Sequence, residues 1–262
     1  MIGKVLTIAG SDPSGGAGIQ ADIKTITMQG CYAMSAITAL TVQNTCGVTD
    51  VMDVPPEILA AQIDAVCTDI FPDAVKIGMV SNAASIRVIA EKLRQYRPQH
   101  IVIDPVMIST SGRHLLREDA MEALCSELLP LGTVLTPNLP EAGALLGQNL
   151  QSPEEMRTAA KILSERFGAA VLVKGGHLEA APSDVLYADG EYQVYTSERI
   201  DTNNSHGTGC TLSSAIASGL ARGVSLPESV QLAKWYLTDA LAAGFDIGKG
   251  NGPLLHNFTI AR

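Results

Sequence analysis

Short apolar runs and amphipathic stretches alternate along nearly the whole chain. Few folds accommodate that pattern. Residues 5–9, 33–42, 75–79, 101–106, 133–136 and 170–173 read as buried strands, each bounded by turn residues. Between them apolar residues recur at helical spacing. The first helix runs to about Gly30 with Ile19, Ile23 and Ile26 on its face. The next starts at Pro55-Pro56-Glu57 and carries Ile58, Ile63, Val66 and Ile70; the third carries Ile86, Ile89, Ala90 and Leu93. A helix is expected over about 117–129. Two more open on the capping-box patterns Ser152-Pro153-Glu154-Glu155 and Ser225-Leu226-Pro227-Glu228, reaching about Phe167 and Ala243. Asp189-Gly190-Glu191 between two strand-like runs (185–188 and 192–196) is a hairpin signal. Residues 248–253 read as a flexible loop. No linker, repeat or low-complexity segment interrupts the order. The expectation is one domain over 1–262, a three-layer α/β/α sandwich with a mostly parallel central sheet.

Composition narrows the function. The formal charge is −9 and Lys/Arg residues form no cluster, which argues against nucleic-acid binding. No apolar run reaches membrane-spanning length, and the run at the N-terminus is too short for a signal-peptide core, so a cytoplasmic protein is expected. The five cysteines are scattered with no CxxC or CxxH spacing, which fits buried thiols in a reducing compartment and gives no support for structural zinc.

In parallel α/β sheets ligands bind outside the carboxyl ends of the strands. Several polar features collect there: the loop 10–18, Gln43, Asp104, Asn138, Glu141 and Lys174. The loop 10–18 is neither a Walker A sequence nor a GxGxxG fingerprint. Asp22 falls on the apolar face of the first helix, where a carboxylate needs a partner or a ligand. Asn138-x-x-Glu141 either holds Mg²⁺ through waters or is a loop cap with a solvated Glu141. Lys174 either reaches phosphate oxygens or is a snorkelling strand-end lysine.

The turn Gly207-Thr208-Gly209-Cys210 leads into an apolar helix (Leu212, Ala215, Ile216, Gly219, Leu220) that Gly223 stops. It is either an ordinary helix entry or an anion site, because the first N–H groups of a helix lack intrahelical partners. Together with a metal and a lysine, such a turn supplies the charge that phosphoryl transfer needs.

Five segments carry a resemblance. They are Ala9-Gly10-Ser11-Asp12-Pro13 through Asp22, Thr41-Val42-Gln43-Asn44-Thr45, Thr136-Pro137-Asn138-Leu139-Pro140-Glu141, Val173-Lys174-Gly175-Gly176-His177, and Ser205-His206-Gly207-Thr208-Gly209-Cys210-Thr211-Leu212-Ser213. In this order they resemble the hydroxymethylpyrimidine/phosphomethylpyrimidine kinases of thiamine biosynthesis, in the ribokinase-like superfamily. The resemblance implies ATP and Mg²⁺ as cofactors and two successive phosphorylations, of 4-amino-5-hydroxymethyl-2-methylpyrimidine and of its monophosphate. It implies that Gln43 reads the aminopyrimidine edge and that Gly10, Asp22, Met79 and Val106 line its pocket. It places Asn138, Lys174 and His206 beside the nucleotide, Glu141 and Asp104 at the metal, and Gly207, Thr208 and Gly209 as the anion hole. It also suggests a homodimer.

Sugar-kinase relatives carry aspartate where this chain has Cys210. A cysteine at a helix N-terminus has a lowered pKa, so Cys210 is either a weak base toward the hydroxymethyl group or only a pocket wall. Two alternatives stay open. Pyridoxal, another methylated heteroaromatic with a hydroxymethyl arm, is a possible substrate of this sequence type. A non-catalytic ligand-binding relative is the other, against which the intact turn, Asn-x-x-Glu and Lys174 argue.

Overall fold

A computed structural model describes residues 2–108, 112, 115–117, 119–176 and 183–260. The segment 109–111, whose Ser-Thr-Ser sequence after the strand at 101–106 reads as a loop, and His177 lie outside them. Nine strands form one sheet: β1 (Lys4–Ser11), β2 (Tyr32–Asn44), β3 (Gly47–Asp53), β4 (Ala74–Ile77), β5 (His100–Ile103), β6 (Val134–Leu135), β7 (Ala170–Val173), β8 (Ser183–Ala188) and β9 (Glu191–Thr196). Their spatial order is β3-β2-β1-β4-β5-β6-β7-β8-β9. The pairs from β2 through β7 are parallel, and the β2–β3, β7–β8 and β8–β9 pairs are antiparallel. The three-layer, mostly parallel sandwich is therefore as expected.

Alternation along β1 shows how the layers are built. Leu6 and Ile8 face a core shared with α2 (Pro56–Cys67), α3 (Ala83–Tyr96), α5 (Leu139–Leu146) and α6 (Pro153–Phe167). Val5 faces the opposite core, with α1 (Gly18–Met28), α7 (Thr208–Ala221) and α8 (Leu226–Ala242). Helix α7 is buried from Thr211 to Leu220, which its run of Ser, Ala and Gly permits. A Cβ at Gly219 would lie 2.5 Å from Ser229 Oγ of α8, so small residues bring the helices together. β1 pairs with β2 on one side and β4 on the other. The chain reverses its direction of winding there, which opens a crevice at the strands' carboxyl ends.

Several local expectations need correction. Strand β2 runs on to Asn44 and turns at Thr45-Cys46 into β3, an antiparallel partner the sequence did not suggest. On α2 the buried face is Leu59, Ile63 and Cys67, while Ile58 is exposed and Ile70 lies beyond the helix end. The single helix expected at 117–129 is three short pieces: α4 (Ala120–Ala123), a π-helical turn (Leu124–Leu128) and a 3₁₀ turn (Leu129–Leu131). Pro130 lacks the N–H that an α-helix would use. Helix α5 was not anticipated.

The Ser152 capping box forms in both directions. At Ser225 no side-chain cap forms, although α8 does begin there. Residues 248–253 are held rather than loose. The N–H groups of Lys249 and Gly250 donate to Thr45 Oγ1, and Gly252 O accepts from His206 N at 3.1 Å.

Candidate active site

The crevice holds a cavity of about 690 Å³ that takes in the loop after β1, the end of β2, the loops after β4 to β7, and the N-terminus of α7. Its centre is the turn into α7. Gly207 is left-handed (φ +84°), and a Cβ on it would sit 1.8 Å from Gly16 O. A Cβ on Gly209 would lie 3.1 Å from Asp104 Oδ2 and 3.2 Å from Lys174 Nζ. Two glycines thus let the start of α7 lie against a charged cluster, with the positive end of the helix dipole toward the cavity.

In that cluster, Lys174 Nζ donates to Asp104 Oδ1 at 2.8 Å, and Thr136 Oγ1 donates to the same oxygen at 3.3 Å. Asn138 and Glu141 form a reciprocal capping box at the start of α5: Asn138 Oδ1 accepts from Glu141 N at 2.9 Å, and Glu141 Oε2 accepts from Asn138 N at 2.8 Å. Capping and access to the cavity coincide here, since both residues line it. Glu141 is not solvated, as a plain loop cap would leave it, but 6% exposed. Burial pushes its carboxyl up to about 7; Lys174 works against the rise and Asp104 adds to it. Burial acts to lower Lys174, but Asp104 and Glu141 outweigh it and hold the ammonium above its usual range.

Cys210 departs from the sequence expectation. The helix N-terminus does not lower its pKa. Burial pushes the thiol up to about 11, the Lys76 ammonium pulls the other way, and Asp22 and Asp104 add to the rise. In the free protein Cys210 is a neutral thiol.

Asp22 also departs from it. Asp22 is fully buried and does not line the cavity. Lys76 Nζ donates to both of its oxygens at 2.8 Å, and Thr7 Oγ1 and Ser214 Oγ donate to them at 2.6 and 2.8 Å. Its partner is internal, so it is a brace between α1, β1, β4 and α7 rather than a pocket wall. Lys76, itself fully buried and raised by Asp22 against the effect of burial, carried no signal in the sequence beyond its place in an apolar strand.

At the other side of the turn, Gly10, Met79, Val106 and Gln43 line the cavity as expected. His206, expected beside the nucleotide, has its Nε2 2.8 Å from Asp12 Oδ2 and 3.1 Å from Gln43 Nε2. Asp12 was missed as a site residue. It is 1% exposed and accepts from Ser14 N and Oγ, Gly16 N and Ala17 N. Burial alone would raise its carboxyl; hydrogen bonds from His206, Ser14 and Ala17 overcome that and hold it down at about 2. The Asp-Pro-Ser-Gly-Gly order was the available signal, because an Asx-type loop needs a carboxylate at its start.

The family described as Phosphomethylpyrimidine kinase matches residues 12–255. The chain belongs to the phosphomethylpyrimidine kinase family. It is 52% identical over 255 residues to a hydroxymethylpyrimidine/phosphomethylpyrimidine kinase of Rhizobium meliloti, covering 96% of each chain. A crystal structure of phosphomethylpyrimidine kinase from Clostridium difficile superposes with a TM-score of 0.83 at 47% identity, over 91% of this chain and 99% of that one. Pyridoxal kinase from Staphylococcus aureus, solved with AMP-PCP and pyridoxal, superposes at 0.91 with 35% identity, over 100% and 96%. The ribokinase-like fold and a kinase activity toward hydroxymethylpyrimidine and its monophosphate, both expected from the resemblance, are borne out by this kinship.

Proposed function

We propose that this cavity transfers the γ-phosphoryl group of ATP to 4-amino-5-hydroxymethyl-2-methylpyrimidine, and a second one to the resulting monophosphate. The observation that carries the reading is the juxtaposition of the α7 N-terminus with Lys174, Asp104 and Glu141 across Gly209. Phosphoryl transfer asks for positioning and charge neutralisation more than for covalent chemistry. The N–H groups of the 207–210 turn receive the transferring group. Lys174 and Asn138 serve the nucleotide phosphates. A relative solved with an ATP analogue supports the choice of nucleotide.

The site suits Mg²⁺. Asp104 and Glu141 are two buried carboxylates facing one cavity, with Lys174 the ammonium between them. A raised Glu141 is what such a pair shows before a cation neutralises it. Mg²⁺ commonly takes one or two carboxylates together with waters and substrate phosphates. When bound, it would neutralise phosphate charge beside these residues.

On the acceptor side Gly10, Met79 and Val106 wall the ring and Gln43 reads its amino edge. The first phosphorylation must remove a hydroxyl proton and the second need not, so Cys210 serves the first step. A homodimer and a cytoplasmic location complete the reading, and no helix of the described residues is long and apolar enough to cross a membrane.

The pyridoxal kinase likeness names the competing substrate. Steady-state kinetics on both acceptors decides between them: kcat/KM is expected to favour the pyrimidine, and a higher value for pyridoxal overturns the assignment. Binding of pyrimidine with ATP and Mg²⁺ but no turnover would point to a non-catalytic relative.

A further inference from the structure

The side chains of Asp12, His206, Gln43 and Thr41 form a line of hydrogen-bonding groups along one wall of the cavity. The direction of each bond follows from the ends. Asp12 accepts four bonds from the groups of Ser14, Gly16 and Ala17, so it is an ionised acceptor with no proton to give. His206 Nε2 lies 2.8 Å from Asp12 Oδ2, so Nε2 must carry the hydrogen. This holds whether or not Nδ1 is protonated as well. Gln43 Nε2 lies 3.1 Å from that same nitrogen, and two N–H donors cannot face each other.

At the other end, Thr41 Oγ1 donates to Ser11 O at 2.7 Å and has no second proton for Gln43 Oε1, which is 3.2 Å away. Both conflicts vanish if the amide turns over about its last torsion, an operation that exchanges oxygen and nitrogen without moving any other atom. Gln43 Oε1 then shares the single Nε2–H of His206 with Asp12 Oδ2 in a three-centre bond, and its NH₂ donates to Thr41.

We propose that Asp12 and His206 are positioning residues that lock the sense of the Gln43 amide, and that this sense selects the acceptor. The proposal rests on the pyrimidine-kinase reading of the cavity. With Oε1 fixed toward His206, the amide keeps one oxygen lone pair and one N–H for a ligand, in a set order. An aminopyrimidine edge offers an amino donor next to a ring-nitrogen acceptor and matches that order. The pyridoxal ring has no amino group beside a ring nitrogen; it offers a hydroxyl beside an aldehyde, set differently around the ring. A glutamine free to turn over would accept either polarity and discriminate less. His206 thereby acts through Gln43 on the acceptor.

Two measurements test this on the full-length protein. In nitrogen-15 histidine NMR of the free protein, with His206→Gln used to assign the signal, Nε2 of His206 should be of the protonated, pyrrole type; an unprotonated, pyridine-type Nε2 overturns the proposal. In kinetics, His206→Leu should raise KM for hydroxymethylpyrimidine roughly tenfold, the size of one lost oriented hydrogen bond. Its kcat and its KM for ATP should stay within about twofold, and its preference for pyrimidine over pyridoxal should fall. His206→Gln, which keeps an N–H near the same place, should recover most of the KM and the preference. Equal losses on both acceptors, or a KM change confined to ATP, overturn the positioning role. A wild-type protein that does not phosphorylate the pyrimidine at all sinks the functional reading instead, and the NMR result still decides the bond directions.

Discussion

Two aspartate–lysine pairs border α7, alike in chemistry and unlike in surroundings. Asp22–Lys76 and Asp104–Lys174 each close at 2.8 Å. In the first, both side chains are fully buried, and Thr7 and Ser214 also donate to the carboxylate. In the second, Lys174 keeps 14% of its side chain accessible, Glu141 adds a second carboxylate, and the group opens on the cavity. The first pair has no capacity left for a ligand. The second holds an imbalance that a phosphate and a cation would settle. An ion pair at a given distance therefore says little about role; what else its atoms can reach decides it.

The comparison breaks most visibly at Lys174. Replacing it with Met should lower kcat for both phosphorylations by about a thousandfold, as loss of one transition-state charge contact does, and should destabilise the fold less than Asp22→Ala does, because Asp104, left without its counter-charge, lines the cavity. A large fall in stability with activity retained would make this pair a brace like the other.

Asp22→Ala should do the reverse. It leaves Lys76 buried without its counter-charge and should destabilise the fold by about 3–5 kcal/mol in urea unfolding. If stability held and only kcat/KM fell, Asp22 would belong to the site after all.

Cys210→Ala should slow the first phosphorylation by about 30-fold and the second by less than about threefold, below the roughly hundredfold or more of a well-matched general base, because a neutral thiol is a weak one. With the thiol pushed up to about 11, the thiolate fraction grows tenfold per pH unit well below that value. The wild-type first step should therefore accelerate between pH 7 and 9 and the Cys210→Ala first step should not. Equal losses in both steps would reduce Cys210 to a wall.

Glu141→Gln sharpens the contrast through pH. The folded carboxyl is raised to about 7 from its ordinary 4.5, so its favourable contribution is complete below the unfolded value and is lost as pH rises through 7. The metal-free variant should gain stability over the wild type by about 2 kcal/mol at pH 8 and by little at pH 5. No pH-dependent difference would mean that Glu141 is not strained by its surroundings.

The smallest effect concerns two serines. Ser152→Ala, which removes a formed cap, should cost about 1 kcal/mol, and Ser225→Ala close to nothing.

Where the sequence was readable, a local rule and the tertiary structure agreed. Ile86, Ile89, Ala90 and Leu93 line one buried stripe of α3, and Gly190 closes the β8–β9 hairpin. The turn into α7 was legible because glycines there are required twice over, by a positive φ and by close approach. What failed depended on long-range partners. Asp22 on an apolar face was seen to need a partner, but Lys76, 54 residues away, could not be named from spacing. The lowered thiol expected of Cys210 followed from the helix N-terminus alone; burial and two carboxylates outweigh it. Strand β3 was missed because exposed Thr49, Asp50 and Met52 hide its alternation. Ser225 shows the converse: a sequence pattern for a cap without the bond.

The loop at 248–253 has a consequence for the order in which the protein can be made. His206 bridges to Pro253, and Gly16 packs against both. A corner beside the cavity is thus closed by residues from the first and last tenths of the chain. A nascent polypeptide can lay down β1 through α8 and still lack that corner. The backbone of His206 finds its bridging partner only once the segment around Pro253 has been synthesised.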